Sequence, residues 1–573
     1  MAEFKNPQQE PGTERRLLLV FAITFLIILA SQPLLKKYGP KPQEGSRPPE
    51  QSAPVNSQPA PVSAAASAPA RPPAGSKQAS SESTTVVEND LYRITFSNHG
   101  GQVKSWVLKK FNDDSGKPLD LVNNAAAAKY GYPLSLWTYD ESLRNKLNSV
   151  LYVPSATGTA TAPADLTFEY SDSDIAVRKT FHFDSTYVVQ VDTSASVKGT
   201  IVTAFPTWPA GFGDSTSPTL YAASRIEYEN GGDIERLAIK KVVGGSTVRG
   251  PFNWAGVSDQ YFAAVFLPDD RANAAMVTLR NPLDNPQDAK RPLEVLGAAV
   301  GQIGAPTIQR LYVGPKALDV LEKVPVAGLS AGSEPDLRKL VDFGWLGYIA
   351  RPLFLWLKWT HDHMVANWGW AIVIQTLIIS LLLSPLRFMQ QKSALEMQRV
   401  APHIKSIQEK YKKYGMRDPR KQAMNEEIAA VYKEHGVNPA AGCLPLLIQM
   451  PFLFAYYRML GVALDLRFAH WLWIKDLSAF DPYYILPIFL VISMFIMQRM
   501  TPMTGMDPSQ QKMMMIFMPI MMGFIFRYLA AGLNLYYAES NLISMIQQAV
   551  MNRTKTGQEI RRLAEKRARK KDK

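Results

Sequence analysis

The spacing of apolar residues changes character several times along the chain. After Arg15 and Arg16 an uncharged run fills 17–35. From 84 to about 335 the runs are short and alternate: Tyr92, Ile94 and Phe96 are separated by polar neighbours. Tyr187, Val189 and Val191 alternate less cleanly, because Val188 breaks the polar side. His99-Gly100-Gly101, Asn230-Gly231-Gly232 and Gly244-Gly245 punctuate this region as turns. Five longer apolar runs follow at 371–386, 443–464, 483–497, 513–529 and 532–551. Each is near the roughly 20 residues that cross about 30 Å of hydrocarbon as a helix.

These periods predict a multi-domain membrane protein: an α-helical transmembrane bundle of six spans plus a large β-sandwich domain. Residues 1–16 form a cytoplasmic N-terminus and 17–35 an uncleaved signal-anchor helix. A cleaved signal is the lesser alternative, since no small-x-small pattern follows Ala30. Residues 36–83 are rich in Pro, Ala and Ser and form a linker that cannot bury enough apolar surface to offset ordering. The β-domain occupies 84–335. An amphipathic, aromatic-rich helix at 336–363 lies in the interface. The core occupies 364–550, with a helical hairpin at 387–441, and 551–573 is a basic tail.

Charge orients these pieces. The chain has 573 residues and a net charge of +13, unevenly placed. Eleven Lys or Arg fall between 387 and 441 and ten after Met551, but the loop 465–482 has only Arg467 and Lys475. The positive-inside rule then puts both chain ends and the hairpin in the cytoplasm, and the β-domain in the periplasm. Cys443 is the single cysteine, so no disulfide can form within the chain.

Within the hairpin, Met397, Val400, Ile404, Ile407, Tyr411 and Tyr414 step by three and four, a heptad seam. Pro402 predicts a kink. Gly415 stops this helix, and Asp418-Pro419 starts a second that carries Met424, Ile428 and Val431.

The apolar runs also carry polar residues. Thr376, Ser380 and Ser384 recur every four residues and share a helix face, with Gln375 beside them. Gln449 lies between Pro445 and Pro451. Small polar residues of this kind join helices by hydrogen bonds; as a stripe with Gln449 they predict a hydrated groove. Arg458 and Arg527 lie toward the outer ends of their runs, and Glu539 lies deeper, so an ion pair of Glu539 with either arginine is expected. Eleven of 22 methionines fall between Met494 and Met522, which suggests a pliable surface for varied apolar partners. The β-domain histidines, His99 and His182, are isolated. No nucleophile elbow, metal spacing or phosphate loop is found, so neither an enzyme nor a cofactor is expected.

Three stretches resemble the YidC family of membrane-protein insertases: NPAAGCLPLLIQMP at 438–451, DPYYILPIF at 481–489 and GLNLYY at 532–537, followed by Ser540-Asn541 and Gln547-Gln548. The resemblance covers about 345–553. It implies a bacterial inner-membrane insertase and chaperone of the Gram-negative type, with a periplasmic β-supersandwich domain. It also implies work alone or beside the Sec translocon, without ATP hydrolysis by the insertase. Thr376 and Gln449 match polar groove positions, and Tyr537 joins Gln375 and Ser380 as a candidate groove residue. The family's usual groove arginine aligns with Ser380. Nascent membrane proteins, the Sec translocon, the ribosome through the basic tail and hairpin, and anionic lipids are the expected partners. The alternative is a secondary transporter with a midplane polar site, which predicts internal repeats that are not found. A periplasmic carbohydrate-active enzyme on an anchor leaves the later runs without a purpose.

Overall fold

The computed structural model describes residues 76–213, 224–284, 293–326, 336–411, 414, 420–436, 444–500, 508–554 and 558. All belong to one compact unit, Pro54–Lys573. The signal anchor, Gly415, Asp418-Pro419, Cys443 and the tail beyond 558 lie outside the described residues. So do the side chains of 390–395, 398–399, 421, 444–450 and 508–514.

The alternating region is a β-rich sandwich of three sheets. The largest runs in the order Asp233–Ala238, Arg225–Asn230, Trp254–Ser258, Phe262–Pro268, Thr307–Pro315, Val188–Val197, Ile175–Phe183, Ala164–Ser171, Val153–Pro154. One five-stranded sheet contains Tyr92–Ser97 and Gln102–Asn112; another contains Ala274–Leu283 and Leu293–Gln302. Tyr92, Ile94 and Phe96 all face inward, as period-two patterning requires. Phe96 meets Phe168, Phe181 and Phe183 with ring centroids 5.1–5.9 Å apart, which joins two of the sheets. Gly231 and Gly232, at φ of 61° and 96°, make the tight hairpin between Arg225–Asn230 and Asp233–Ala238. Two short helices, α1 (Asn124–Tyr130) and α2 (Glu141–Ser149), begin on Asn123 and Asp140 side-chain caps.

Under the His99-Gly100-Gly101 turn lies a fully buried amine that the periodicity does not announce. Lys179 Nζ donates to the carbonyls of Gly100 (2.7 Å), Gly101 (3.1 Å) and Leu134 (2.9 Å). Burial pushes its pKa down to about 7. His99 and His182 sit on the surface beside Glu82 and Asp165.

After α3 (Leu318–Leu321), Asp336 caps a 3-10 turn at Leu337–Leu340, and the amphipathic stretch becomes helical only at α4 (Gly347–His363). The bundle continues with α5 (Trp368–Leu382), α6 (Ser384–Lys410), α7 (Arg420–Glu434), α8 (Leu444–Val462), α9 (Ile485–Met500), α10 (Pro508–Phe526) and α11 (Ala531–Arg553). All five apolar runs are therefore helical. However, no helix among the described residues is long and apolar enough to cross a membrane by itself. Three local causes shorten or dilute them. Pro385 ends the first run's helix at Leu382, and a 15-residue helix rises only about 22 Å. α10 starts in the polar residues Ser509 to Lys512, and α11 carries Asn534, Glu539, Asn541 and Gln547. α6 runs through Pro402 as one helix and packs Met397, Val400 and Ile404 against Ile428, Val431 and Tyr432.

The sandwich is clasped to the bundle through Asp342. Its carboxylate accepts from Arg225 of the sheet at 2.9 Å and from Arg458 of α8 at 2.8 Å. Gln260 adds a bond to the Gly461 carbonyl at 2.7 Å. Burial alone raises the Asp342 carboxyl, but the Arg236, Arg458 and Arg225 guanidiniums outweigh it and hold it well below the ordinary carboxylate range. A carboxyl depressed in the folded state contributes fully above its unfolded pKa of about 4 and loses its contribution as pH falls through the lower folded value. Limited proteolysis should therefore find the joint equally protected from pH 7 to about pH 5 and looser below about pH 4. Asp342→Ala should cost about 1.5–3 kcal/mol in thermal or denaturant unfolding and remove that acid dependence. An unchanged acid response in the variant would rule Asp342 out as its source.

Candidate functional site

The candidate residues converge where α4, α5, α6, α8 and α11 meet. Gln375 is wholly buried. Its amide donates to the Leu353 carbonyl of α4 at 2.9 Å, and its oxygen accepts from Tyr456 of α8 at 3.1 Å. One side chain thus joins three helices. Thr376, also wholly buried, donates back to the Ile372 carbonyl at 2.7 Å and lies beside Tyr456 and Glu539. Ser380 is 1% exposed. Tyr456 stacks on Tyr536 of α11 at 4.1 Å, and half-buried Tyr537 meets Phe526 at 4.7 Å. Gln449 belongs to helix α8, and its side chain lies outside the described ones.

This geometry revises the expectation of an open groove. Gln375, Thr376 and Ser380 are covered by protein, and for Gln375 the helix-joining role of small polar residues is the observed one. They form a closed polar seam.

The expected ion pair of Glu539 with Arg458 or Arg527 is not formed. Arg458 reaches outward to Asp342 instead. Arg527 lies exposed past the end of α10, against the Phe524 and Tyr528 rings at 4.8 and 4.3 Å. Glu539 lies eight residues into α11, about 12 Å along its axis. One of its oxygens is buried without a hydrogen-bond partner among the described residues.

Two features of the site are not announced by periodicity or composition. In the sequence Arg387 is one of many cations of the basic hairpin, but the residue is 8% exposed. Its guanidinium donates to the hydroxyls of Ser544 (2.8 Å) and Ser540 (3.1 Å) on α11, and no carboxylate pairs with it among the described residues. The second feature is α11 itself, whose polar residues bond outward to three neighbours. Asn534 donates to the Phe526 carbonyl (3.0 Å), Asn541 to Ser493 of α9 (3.1 Å) and Gln547 to Ser384 of α6 (3.1 Å). The signal was present as polar residues three and four apart. The methionines of α9 are half-buried, and the exposed apolar face of α9 and α10 is built by isoleucine and phenylalanine, including Ile488, Ile492, Ile516 and Phe524.

Comparison with known proteins accounts for both halves. Residues 84–356 match the family model described as the YidC periplasmic domain, and 359–559 match that of the 60Kd inner membrane protein. A relative from Geobacter metallireducens, named "Membrane protein insertase YidC", is 32% identical over 573 residues, covering 94% of this chain and 98% of its own. One of the same name from Geobacter sulfurreducens is 32% identical over 495 residues, covering 82% and 86%. A crystal structure titled "Active YidC insertase crystal structure with the first transmembrane domain resolved" is 19% identical with a TM-score of 0.34, covering 83% of this chain and 95% of that one.

The Gln375 junction makes a direct prediction. Gln375→Leu takes the acceptor from the buried Tyr456 hydroxyl and the second donor from the helical Leu353 carbonyl, and should cost about 1–3 kcal/mol of stability. A double-mutant cycle with Tyr456→Phe should return a coupling of about 0.5–1.5 kcal/mol. Additive losses would show that the hydrogen bond joining α5 to α8 contributes nothing.

Proposed function

The chain belongs to the YidC family of membrane protein insertases, and from that premise we propose that it inserts client helices along the closed polar seam between α5, α6, α8 and α11. The observation that carries this reading is the column of buried hydrogen-bonding side chains lying next to an apolar face on α9 and α10. Apolar surface of that kind suits lipid or a client helix. A polar flank of the client, passing along the seam, exchanges hydrogen bonds with Gln375, Thr376, Ser380, Tyr537 and the α11 polar residues rather than losing water unreplaced. Gln449 contributes from α8. The client's own apolar burial drives the step, at about 25 cal/mol per Å², so no nucleotide chemistry in this chain is required. The relatives are named insertases, which leaves the transporter alternative without support.

The remaining assignments rest on charge and length. The basic hairpin and tail face the cytoplasm and receive the client and the ribosome, the Sec translocon accompanies some insertions, and the sandwich lies on the periplasmic side. Six spans then cross the inner membrane, counting the anchor at 17–35. The short α5 favours a bilayer that thins around the bundle. Arg387 is the cation of the seam. It lies seven residues beyond Ser380, two helical turns nearer the hairpin, where two neutral hydroxyls hold it and leave its charge available to an acidic client residue.

Two measurements test this. A photo-crosslinker at Ser380 should capture a stalled nascent membrane protein, whereas one at exposed Trp359 of α4 should not; equal capture at both would reject the seam as the route. Arg387→Gln should slow insertion of a client with an acidic translocated segment about tenfold, equivalent to about 1.4 kcal/mol, and spare a neutralised client. Arg387→Lys should restore most of the rate. Equal slowing of both clients would assign Arg387 to folding alone.

A further inference from the structure

The cavity on the sandwich side of α4 has no part in the seam. It has a volume of about 460 Å³ and opens between the hairpin at Gly232, the 3-10 turn and the start of α4. That volume suits a small ligand or a headgroup. Four cations line it, Arg236, Arg338, Lys339 and Arg351, against the carboxylates Asp233 and Asp342. Asp342 is engaged by Arg225 and Arg458. Arg338 is held by Asp336 and Glu322, and Arg236 lies 3.3 Å from Glu227. Lys339 donates to the Gly232 carbonyl at 3.1 Å. Arg351 is exposed and makes no hydrogen bond or ion pair among the described residues. Asp233 on the rim is the one carboxylate of the lining left to oppose an anion.

Two further observations point to an anion that arrives with a lipid. α4 starts on Leu346, whose side chain caps nothing, no backbone acceptor meets the Tyr348 N–H among the described residues, and Tyr348 lines the cavity, so the positive end of a 17-residue helix lies at its wall with a donor left over. Tyr348 (71% exposed), Leu355 (48%) and Trp359 (50%) are spaced seven and four residues apart, and Arg351 falls on the same face. Along this face amphipathic Tyr348 and the Arg351 cation come first and apolar Leu355 and Trp359 follow, an order that suits a membrane interface, with charge and the tyrosine hydroxyl at the headgroups and apolar groups at the acyl boundary.

We propose that this cavity binds the phosphate of an anionic glycerophospholipid, held by Arg351, Lys339 and the Tyr348 N–H, with its acyl chains lying along Leu355 and Trp359. The inference rests on the membrane-embedded reading above. It gives the sandwich–bundle joint a lipid ligand, because Asp342 lines the same cavity that the headgroup fills.

The test uses the full chain in phosphatidylcholine vesicles with or without phosphatidylglycerol, each lipid in photoactivatable form. The wild-type chain should capture phosphatidylglycerol in preference to phosphatidylcholine, with the adduct mapping to residues 345–359. Arg351→Gln and Lys339→Gln should each lower that preference about fivefold, as removal of one interfacial cation implies, and leave the thermal midpoint unchanged. Exposed Arg527→Gln, which does not line the cavity, should change nothing. Flotation with pure phosphatidylcholine vesicles distinguishes loss of the lipid site from loss of membrane association. A chain that floats but shows no phosphatidylglycerol preference, or whose preference survives Arg351→Gln, overturns the site and leaves the insertase reading standing. A chain that does not float overturns both. Suppression of the adduct by inorganic phosphate at equal potency in both variants and wild type would mark a general anion effect and also overturn the lipid assignment.

Discussion

A buried amide at the crossing of three helices sets the terms for the rest of the bundle. Gln375 cannot reach water, so both ends of its side chain must find protein partners. It finds them on α4 and α8, and its position fixes where those helices stand relative to α5. The same requirement repeats down the bundle. Asn534, Asn541, Gln547, Ser540 and Ser544 are bonded to a carbonyl, a hydroxyl or a guanidinium of another helix or turn. Apolar packing alone would let such helices slide; directional hydrogen bonds between them set register.

Electrostatics join the bundle to the sandwich. Asp342 stands between a strand arginine and a helix arginine, and the clasp works because the carboxylate stays ionised there. The arginine of α8 that could have reached inward to Glu539 is used at this joint instead. One charge was thereby committed to architecture. Arg387, bonded to two hydroxyls of α11, meets no carboxylate among the described residues. The two arginines are alike in sequence context, each in or beside an apolar run. Their different neighbours give them different roles.

Much of the candidate site was legible from the chain because helical spacing is a local property. Thr376, Ser380 and Ser384 were placeable on one face, and Gln375 beside them, from a repeat of four. Whether that face looks onto water or onto another helix is not local. It depends on how closely α4 and α8 approach, and they approach closely enough to bury all three of Gln375, Thr376 and Ser380. The polar residues of α11 were visible as residues but not as partners, since each bonds to a helix or turn eight to about 160 positions away in the chain.

By itself the sequence determined the division into an alternating half and an apolar half, the hairpin seam, the charge asymmetry and the family. Each follows from periodicity, composition or motif, which need only near neighbours along the chain. Only the tertiary structure decided that Gln375, Thr376 and Ser380 are sealed, that Glu539 lacks the arginine partner expected for it, and that Lys179 and Arg387 are buried cations. Those outcomes depend on which desolvated group lies within about 3 Å of which other, and burial makes that pairing decisive because an unmet polar atom there has no water to turn to.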